Sequence, residues 1–327
     1  MVRRRYREAM RTVRGVARHY DWGDDRFIPE LLGLTADGRP WAEWWVGTHP
    51  EAPATLDDGS SLESVTGRLP WLLKVLSAAR PLSMQTHPDA EGARRGFEAG
   101  VFGDPNPKPE LLLALTPFVA LCGVRPIEAT ARLLDLLGLG SLAARISTEG
   151  GVGAVIVDLY RGRLDPVPII EACRGVDLPE ACWVVDLDAR YPGEPSVAVA
   201  LLLNLVELSP GEALRLDAGN LHAYLAGSGV ELMGASDNVV RGGLTSKPVD
   251  VDLLLATIDP TPLEHPVLPV ADRYELPAAG IALARVDADF EATEPTVVFD
   301  LAGRFLLAEA SDTSMVSGHG GLAVVSL

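Results

Sequence analysis

The apolar positions of this 327-residue chain follow two rhythms, and one interrupts the other. Up to about residue 125, and again from about 203, apolar residues alternate with polar ones or form short runs bounded by Pro, Gly, Asn and Asp, the signature of strands and tight turns. Residues 41–50 (WAEWWVGTHP) alternate in this way. Residues 69–76 (LPWLLKVL) form a near-continuous apolar run that leads into 81–88 (PLSMQTHP). In a strand, side chains two apart share a face, so Ser83, Gln85 and His87 lie opposite Leu82, Met84 and Thr86. A polar face backed by an apolar one suits a strand lining a barrel mouth. Residues 27–33 read as a short helix closed by Gly33, and 57–60 as a loop. The stretch 89–103 reads as a polar loop. The three prolines of 104–110 (DPNPKPE) force an extended backbone, which aims Lys108 and Glu110 the same way. Residues 111–124 read as one buried strand.

From Pro126 the period shifts to that of a helix. Residues 127–137 fit a helix stopped at Gly138, and 153–160, 167–173 and 197–205 also read as helical. This Ala/Leu-rich block, about 126–205, looks like a helical insertion in a β protein and carries no plausible chemistry. Strand character returns at 203–208. Pro210-Gly211 and Gly219-Asn220 bracket a short strand, and a second strand carries His222. After Pro260 the chain is rich in Pro, Ala and Val, with short strands to Leu327. There are no repeats and no low-complexity tracts.

Composition narrows the options. An apolar fraction of 47% supports a sizeable core. A formal charge of −17 argues against nucleic acid as a partner, since phosphate neutralisation needs clustered Lys and Arg. A small anionic substrate needs only a few local cations. Three widely spaced cysteines, Cys122, Cys173 and Cys182, form no CxxC pair. They fit a reduced, cytoplasmic chain without a disulfide framework. The Arg-rich start lacks an apolar core and reads as a solvated basic extension rather than a leader. The run 111–124 is broken by Pro117 and too short to span a bilayer, so no membrane partner is expected. A monomer or weak homo-oligomer is the expected state.

Six histidines are the obvious metal candidates. His19 lies beside an aromatic cluster and His49 beside a strand end. His265 precedes a proline in a linker, and His319 sits between glycines. His87 and His222 stand out by their company, Gln85 and Glu110. Two His, one Glu and one Gln make a borderline-to-hard N/O set, suited to zinc or another divalent first-row ion with open positions.

Five collinear blocks carry a family resemblance: YDWG at 20–23, AEWWVGTHP at 42–50, LPWLLKVLSAARPLSMQTHPD at 69–89, DPNPKPELLLALTPF at 104–118, and LSPGEALRLDAGNLHAYL followed by VELMGASDNVVRGGLTSK within 208–247. Over roughly residues 12–260 the chain resembles type I mannose-6-phosphate isomerases, zinc-dependent cupin enzymes. The resemblance implies a mainly β cupin, a jelly-roll (double-stranded β-helix) barrel. Residues 1–125 and 206–260 would form the catalytic domain and 126–205 the helical insertion. Residues 261–327 would form a second, reduced cupin-like domain, too short for a complete barrel. It further implies one Zn2+ per chain held by Gln85, His87, Glu110 and His222, and a sugar-phosphate substrate. The reaction is the interconversion of mannose 6-phosphate and fructose 6-phosphate by a cis-enediol route.

By the same resemblance Arg241 is the catalytic arginine, steadying an enediolate or orienting oxygens. The base stays open between Asp237 and Glu231, with Lys108 as a donor or acceptor at the sugar oxygens and His49 as an outsider. Asp237 could equally pair with Arg241, and Glu231 could support a metal histidine. Lys74, Ser83 and Lys247 match positions around the substrate. Ser83 shares the Gln85 face. Lys74, alone in an apolar run, wants an anionic partner or snorkels to the surface. The chain departs from the family at Pro107, where members often carry a histidine, so any proton transfer by that histidine is absent. The rivals are a sugar-phosphate-binding cupin without turnover, and a cupin oxygenase. The second would need a redox metal, which the Gln ligand argues against.

Overall fold

A computed structural model of the chain describes residues 11–148, 150–287, 290–308 and 320–327; the basic extension at 1–10 and His319 lie outside them. Two sheets organise these residues. The eleven-stranded sheet runs Val267–Leu268, Ala213–Leu216, Glu110–Ala114, His222–Gly234, Trp71–Ala78, Glu43–Gly47 and Val16–Arg18, with Met84–Thr86, Val240–Gly243, Phe118–Val124 and Leu203–Leu208 attached off that path. The longest strand, His222–Gly234, belongs to both walls of the resulting jelly roll. Its first residues pair with Met84–Thr86 and Phe118–Val124, so that His222 faces Gln85 on one side and Cys122 on the other. Its second half pairs with Trp71–Ala78 and Glu110–Ala114, setting Glu231 beside Lys74 and Met233 beside Glu110.

The strand changes partners at a bend. The register slips between Tyr224 and Ala226, and Gly227 has φ +113, a conformation that side chains rarely tolerate. A Cβ there would stand 2.5 Å from the Pro117 carbonyl oxygen.

Period two then sorts the side chains into layers. Leu73, Val75, Leu111, Leu113, Val230 and Leu232 turn outward, against Phe299, Phe305 and Leu322 of the second sheet. Their neighbours Lys74, Leu76, Glu110, Leu112 and Glu231 turn inward. The opposite wall buries Leu121, Ala223, Leu225 and Val240 against the helices. The result is three layers: the second sheet, the jelly roll and the helical block.

The second sheet has seven strands: Arg273–Leu276, Ile281–Val286, Gly321–Ser326, Thr296–Asp300, Arg304–Ala308, Arg11–Arg14 and Thr55–Leu56. Two of these come from residues 1–125, which the sequence had assigned to the catalytic domain. The short C-terminal segment is thus completed as a sheet by N-terminal strands.

Several local expectations change. Residues 111–124 are two strands, Glu110–Ala114 and Phe118–Val124, because the chain turns at Leu115–Pro117. The polar stretch after Pro88 holds a helix, Ala90–Glu98; the Asp89 carboxylate caps it by accepting from Gly92 N at 2.6 Å. Within the insertion, Gly140–Thr148 and Pro179–Arg190 are further helices, and the helix at 197–205 is Pro195–Ala200, ending before the strand Leu203–Leu208. Helices at Ile127–Leu136, Gly151–Tyr160 and Val167–Cys173 follow the periodicity. No helix among the described residues is long and apolar enough to cross a membrane.

Gly227→Ala places a Cβ against a carbonyl in a disallowed conformation. It is expected to destabilise the protein by more than about 1 kcal/mol, read as a lower urea midpoint at unchanged m-value.

Candidate metal centre and its cavity

Four side chains from three separated segments meet between the two walls. Gln85 sits mid-strand in Met84–Thr86, His87 just after it, Glu110 at the start of Glu110–Ala114, and His222 at the start of the long strand. His87 Nε2 lies 3.3 Å from Glu110 Oε1, His222 Nε2 lies 3.5 Å from Glu110 Oε2, and Gln85 Nε2 lies 3.4 Å from His222 Nε2. His87, Glu110 and His222 are all buried, with donor atoms within 4.8 Å of one another. Atoms bound to one zinc-like ion at 2.0–2.2 Å in tetrahedral array stand roughly 3.3–3.6 Å apart, so the two histidine–Glu110 spacings fit a single cation, and the Gln85 amide at the same range would offer Oε1 once its two ends are exchanged.

The tautomers point the same way. His87 Nδ1 donates to the Asn238 carbonyl at 2.8 Å, and His222 Nδ1 donates to the Asn220 carbonyl at 2.9 Å. In the neutral imidazole each Nε2 then carries a lone pair. Two such lone pairs and a carboxylate facing one another repel unless a cation lies among them. His87 Nε2 and Glu110 Oε2 are buried without a hydrogen bond, a placement that suits atoms available to a cation. Burial pulls the His87 imidazole down to about 4, and the Lys108 charge adds to this against the pull of Glu110. Burial alone would raise Glu110, but Lys108 and the two histidines hold it well below the usual carboxylate range. His87 is thus neutral and Glu110 anionic at neutral pH, the states in which such groups bind metal.

Gln85 and Glu110 also line a cavity of about 690 Å³. Lys108, buried, puts its Nζ 3.0 Å from Glu110 Oε1; the proline-forced extension does aim both side chains inward. Arg241, Ser83 and Lys247 line the same cavity, as do Lys74, Glu231 and Asp237. Arg241 pairs in register with Gln85, and makes no ion pair among the described residues.

Three candidates sit differently from expectation. Lys74 does not snorkel; it meets the anionic partners that its place in an apolar run calls for, within the chain itself. Its buried Nζ lies 3.2 Å from Glu43 Oε1 and 3.0 Å from Glu231 Oε2, and 5.1 Å from the Trp45 ring centroid. Burial would lower this ammonium, but the carboxylates of Glu231 and Glu43 outweigh it and hold it above the ordinary lysine range. Glu231 also accepts from the Tyr224 hydroxyl at 3.0 Å, so it braces Lys74 and Tyr224 rather than a metal histidine. Burial raises its pKa above the ordinary carboxylate value, against the pull of Lys74. Three inward carboxylates, Glu43, Glu231 and Glu110, face two ammonium groups, and Glu231 is the surplus acid. Asp237, exposed at the rim, pairs with His49 rather than Arg241: His49 Nε2 donates to its Oδ2 at 3.1 Å while Glu51 N donates to His49 Nδ1.

The sequence missed Glu43, Tyr224, Arg80, Arg190 and Tyr191, all on the cavity wall. The last two end the helix Pro179–Arg190, so the insertion does reach the site. Glu43 was legible only as a charged residue alternating into a Trp-rich strand. Nothing in the helical pattern pointed to Arg190.

Comparisons with known proteins converge on one family. A family model described as phosphomannose isomerase type I, catalytic domain, matches residues 57–127. Mannose-6-phosphate isomerase 1 of Arabidopsis thaliana is 33% identical over 312 residues, spanning 77% of this chain and 71% of that protein. Mannose-6-phosphate isomerase of Escherichia coli is 31% identical over 282 residues, spanning 73% and 72%. That of Rattus norvegicus is 30% identical over 370 residues, spanning 92% and 88%. Among solved structures, mannose 6-phosphate isomerase bound with zinc and yttrium superposes with a TM-score of 0.76 at 25% identity, over 97% of each chain. The apo form from Salmonella typhimurium gives 0.77 at 25%, over 97% of this chain and 96% of that one.

Two outcomes follow. Lys74→Met strands two buried carboxylates and is expected to cost about 3–5 kcal/mol of stability by urea unfolding, with partial recovery in Lys74→Met combined with Glu231→Gln. His87 is held neutral in the fold, so its contribution to metal-free stability is complete above about pH 6.5 and is lost as pH falls toward about 4. Acid titration of the chelated protein should show that loss, and His87→Gln should flatten it.

Proposed function

The chain belongs to the phosphomannose isomerase family, and from that premise we propose that it interconverts mannose 6-phosphate and fructose 6-phosphate as a metal-dependent aldose–ketose isomerase. The observation that carries this reading is the convergence of Gln85, His87, Glu110 and His222 on one point, on the floor of a cavity that also presents Lys108 and Arg241. One Zn2+ per chain fits the donor set: two imidazole Nε2 atoms, a carboxylate and an amide oxygen from Gln85. Bound there, the ion supplies Lewis acidity toward the carbonyl and adjacent hydroxyl oxygens of the open-chain sugar, which acidifies the neighbouring C–H.

The chain's own residues do the rest. The reaction moves a proton between C2 and C1 and a second between O1 and O2, through a cis-enediol or enediolate. Arg241 carries a permanent charge and meets the oxygen on which negative charge develops. Lys108, anchored to Glu110, has further N–H donors for O1 or O2 and can pass a proton between them. Of the two candidate bases Asp237 keeps an accessible oxygen, and we assign it the carbon-bound proton, with His49 fixing its other oxygen. Glu231 has both oxygens engaged by Lys74 and Tyr224, so it shapes the field of the site instead. Ser83 and Lys247, joined by Arg80 and Arg190, offer donors and charge for the phosphate at the wider part of the cavity. Lys74 is left out of that set because its charge is already neutralised by buried acids. Pro107 keeps the segment extended and leaves proton transfer to Lys108 and Asp237.

The three cysteines are free thiols, two of them buried, which fits a reducing, cytoplasmic setting. Neither a turnover-silent sugar-phosphate binder nor a cupin oxygenase draws support from the relatives.

A coupled assay forming fructose 6-phosphate from mannose 6-phosphate tests the proposal. Activity should vanish on chelation and return with Zn2+. Glu110→Ala should lose both metal and turnover. Asp237→Asn should keep the metal and lower kcat by about 10²–10⁴-fold. Metal binding without any turnover in the intact protein would leave only the binding reading standing.

A further inference from the structure

The segment from Arg241 to Lys247 supplies five residues to the cavity wall: Arg241, Leu244, Thr245, Ser246 and Lys247. Its backbone is irregular. Opposite Met84–Thr86, Arg241 pairs with Gln85 and Gly243 with Met84, and the register slips between them, which makes Gly242 a bulge. A bulge re-aims the neighbouring side chain and leaves one carbonyl outside the ladder. Two residues later, Leu244 has φ 51, the one non-glycine residue with positive φ among the described residues. A branched apolar side chain holds that conformation only where its surroundings impose it.

The helical block imposes it. Tyr160, last residue of the helix Gly151–Tyr160, donates its hydroxyl to the Gly242 carbonyl at 2.6 Å, taking up the acceptor that the bulge expels. Ser196, in the helix Pro195–Ala200, accepts from Leu244 N at 3.2 Å and donates to Glu194 at 3.0 Å. Gly243 lies so close to Ser196 that a Cβ there would be 2.3 Å from the serine Cβ. Leu244 itself is buried with the helices' apolar core. Neither Tyr160 nor Ser196 lines the cavity. Any effect they have on turnover passes through the backbone they hold.

We propose that Tyr160 and Ser196 form a clamp by which the helical insertion positions the substrate-facing segment, Tyr160 setting the direction of Arg241 and Ser196 the placement of residues 244–247. They are positioning residues for the isomerase reaction proposed above, and the inference rests on that reading. The two anchors act on different parts of the substrate. Arg241 faces the reacting oxygens, whereas Lys247 and its neighbours face the phosphate. The insertion is thereby part of the catalytic unit and not a decoration on the barrel.

The test uses the full-length zinc-loaded protein in the coupled mannose 6-phosphate assay. The wild type must turn over; its failure would sink the isomerase reading itself, separately from the clamp. Tyr160→Phe keeps the ring and deletes one hydroxyl. It should lower kcat about tenfold with KM changed less than threefold. Ser196→Ala should raise KM about fivefold or more with a smaller effect on kcat. Zinc content should match wild type in both, and in an Arg241→Lys background Tyr160→Phe should lose most of its effect on kcat. Arg161→Ala breaks a different contact of the same helix end, the surface pair with Asp252, and should leave both constants unchanged. Unchanged constants in both clamp variants would overturn the proposal. So would activity losses that track lost zinc or lost folded protein, or an effect of Tyr160→Phe that stays undiminished beside Arg241→Lys.

Discussion

An anion and two lone pairs buried face to face are the constraint on which this structure depends. Glu110 is taken out of water between His87 and His222, whose Nδ1 atoms are both committed to backbone carbonyls. Within that triangle no group donates to another; Lys108 and the Gln85 amide approach it from the side. Burial of such a set is costly without a counter-charge, and a divalent cation resolves it with bonds rather than hydrogen bonds. The fold holds these side chains on, or one residue beyond, strands paired in register, so the backbone fixes their separations, the preorganisation that metal sites require.

The charges around the centre are arranged by the same two-residue period that builds the sheet. Along the inner wall Lys74 lies beside Glu231 in register, with Glu43 and Trp45 from the next strand. This second cluster keeps an ammonium and two carboxylates dry near the cavity, and the hydroxyl of Tyr224 ties it to the opposite wall. Its acids outnumber its bases, so the field at the floor favours a cation, while Arg241 and the rim cations favour an anionic substrate above it. Opposite demands are met a few ångströms apart because the walls carry different side chains at alternating positions.

The layering explains why an acidic chain with a modest C-terminal segment holds together. The outward face of one wall is covered by the second sheet, and that of the other by helices. Two N-terminal strands cross to complete the second sheet. The helices, in turn, reach the cavity at Arg190 and Tyr191 and hold the backbone of the Arg241 segment. Cover and chemistry are carried by the same elements.

Much of this was legible in the chain. Alternation predicted that Gln85 and His87 share a face, the proline run predicted that Lys108 and Glu110 point together, and the switch from period two to period 3.6 located the helical block. Those are local consequences of backbone geometry, and they need no tertiary contacts. The helix after Asp89 reads as a loop in the sequence, because its polar composition masks the capping carboxylate. What the chain could not reveal was partnership across distance. Glu43 beside Lys74, His49 beside Asp237 and Tyr160 against Gly242 join residues 31, 188 and 82 positions apart. Pairings of that kind depend on which strands become neighbours and in what register. The period of a sequence states which way a side chain points; only the assembled walls decide what it meets there.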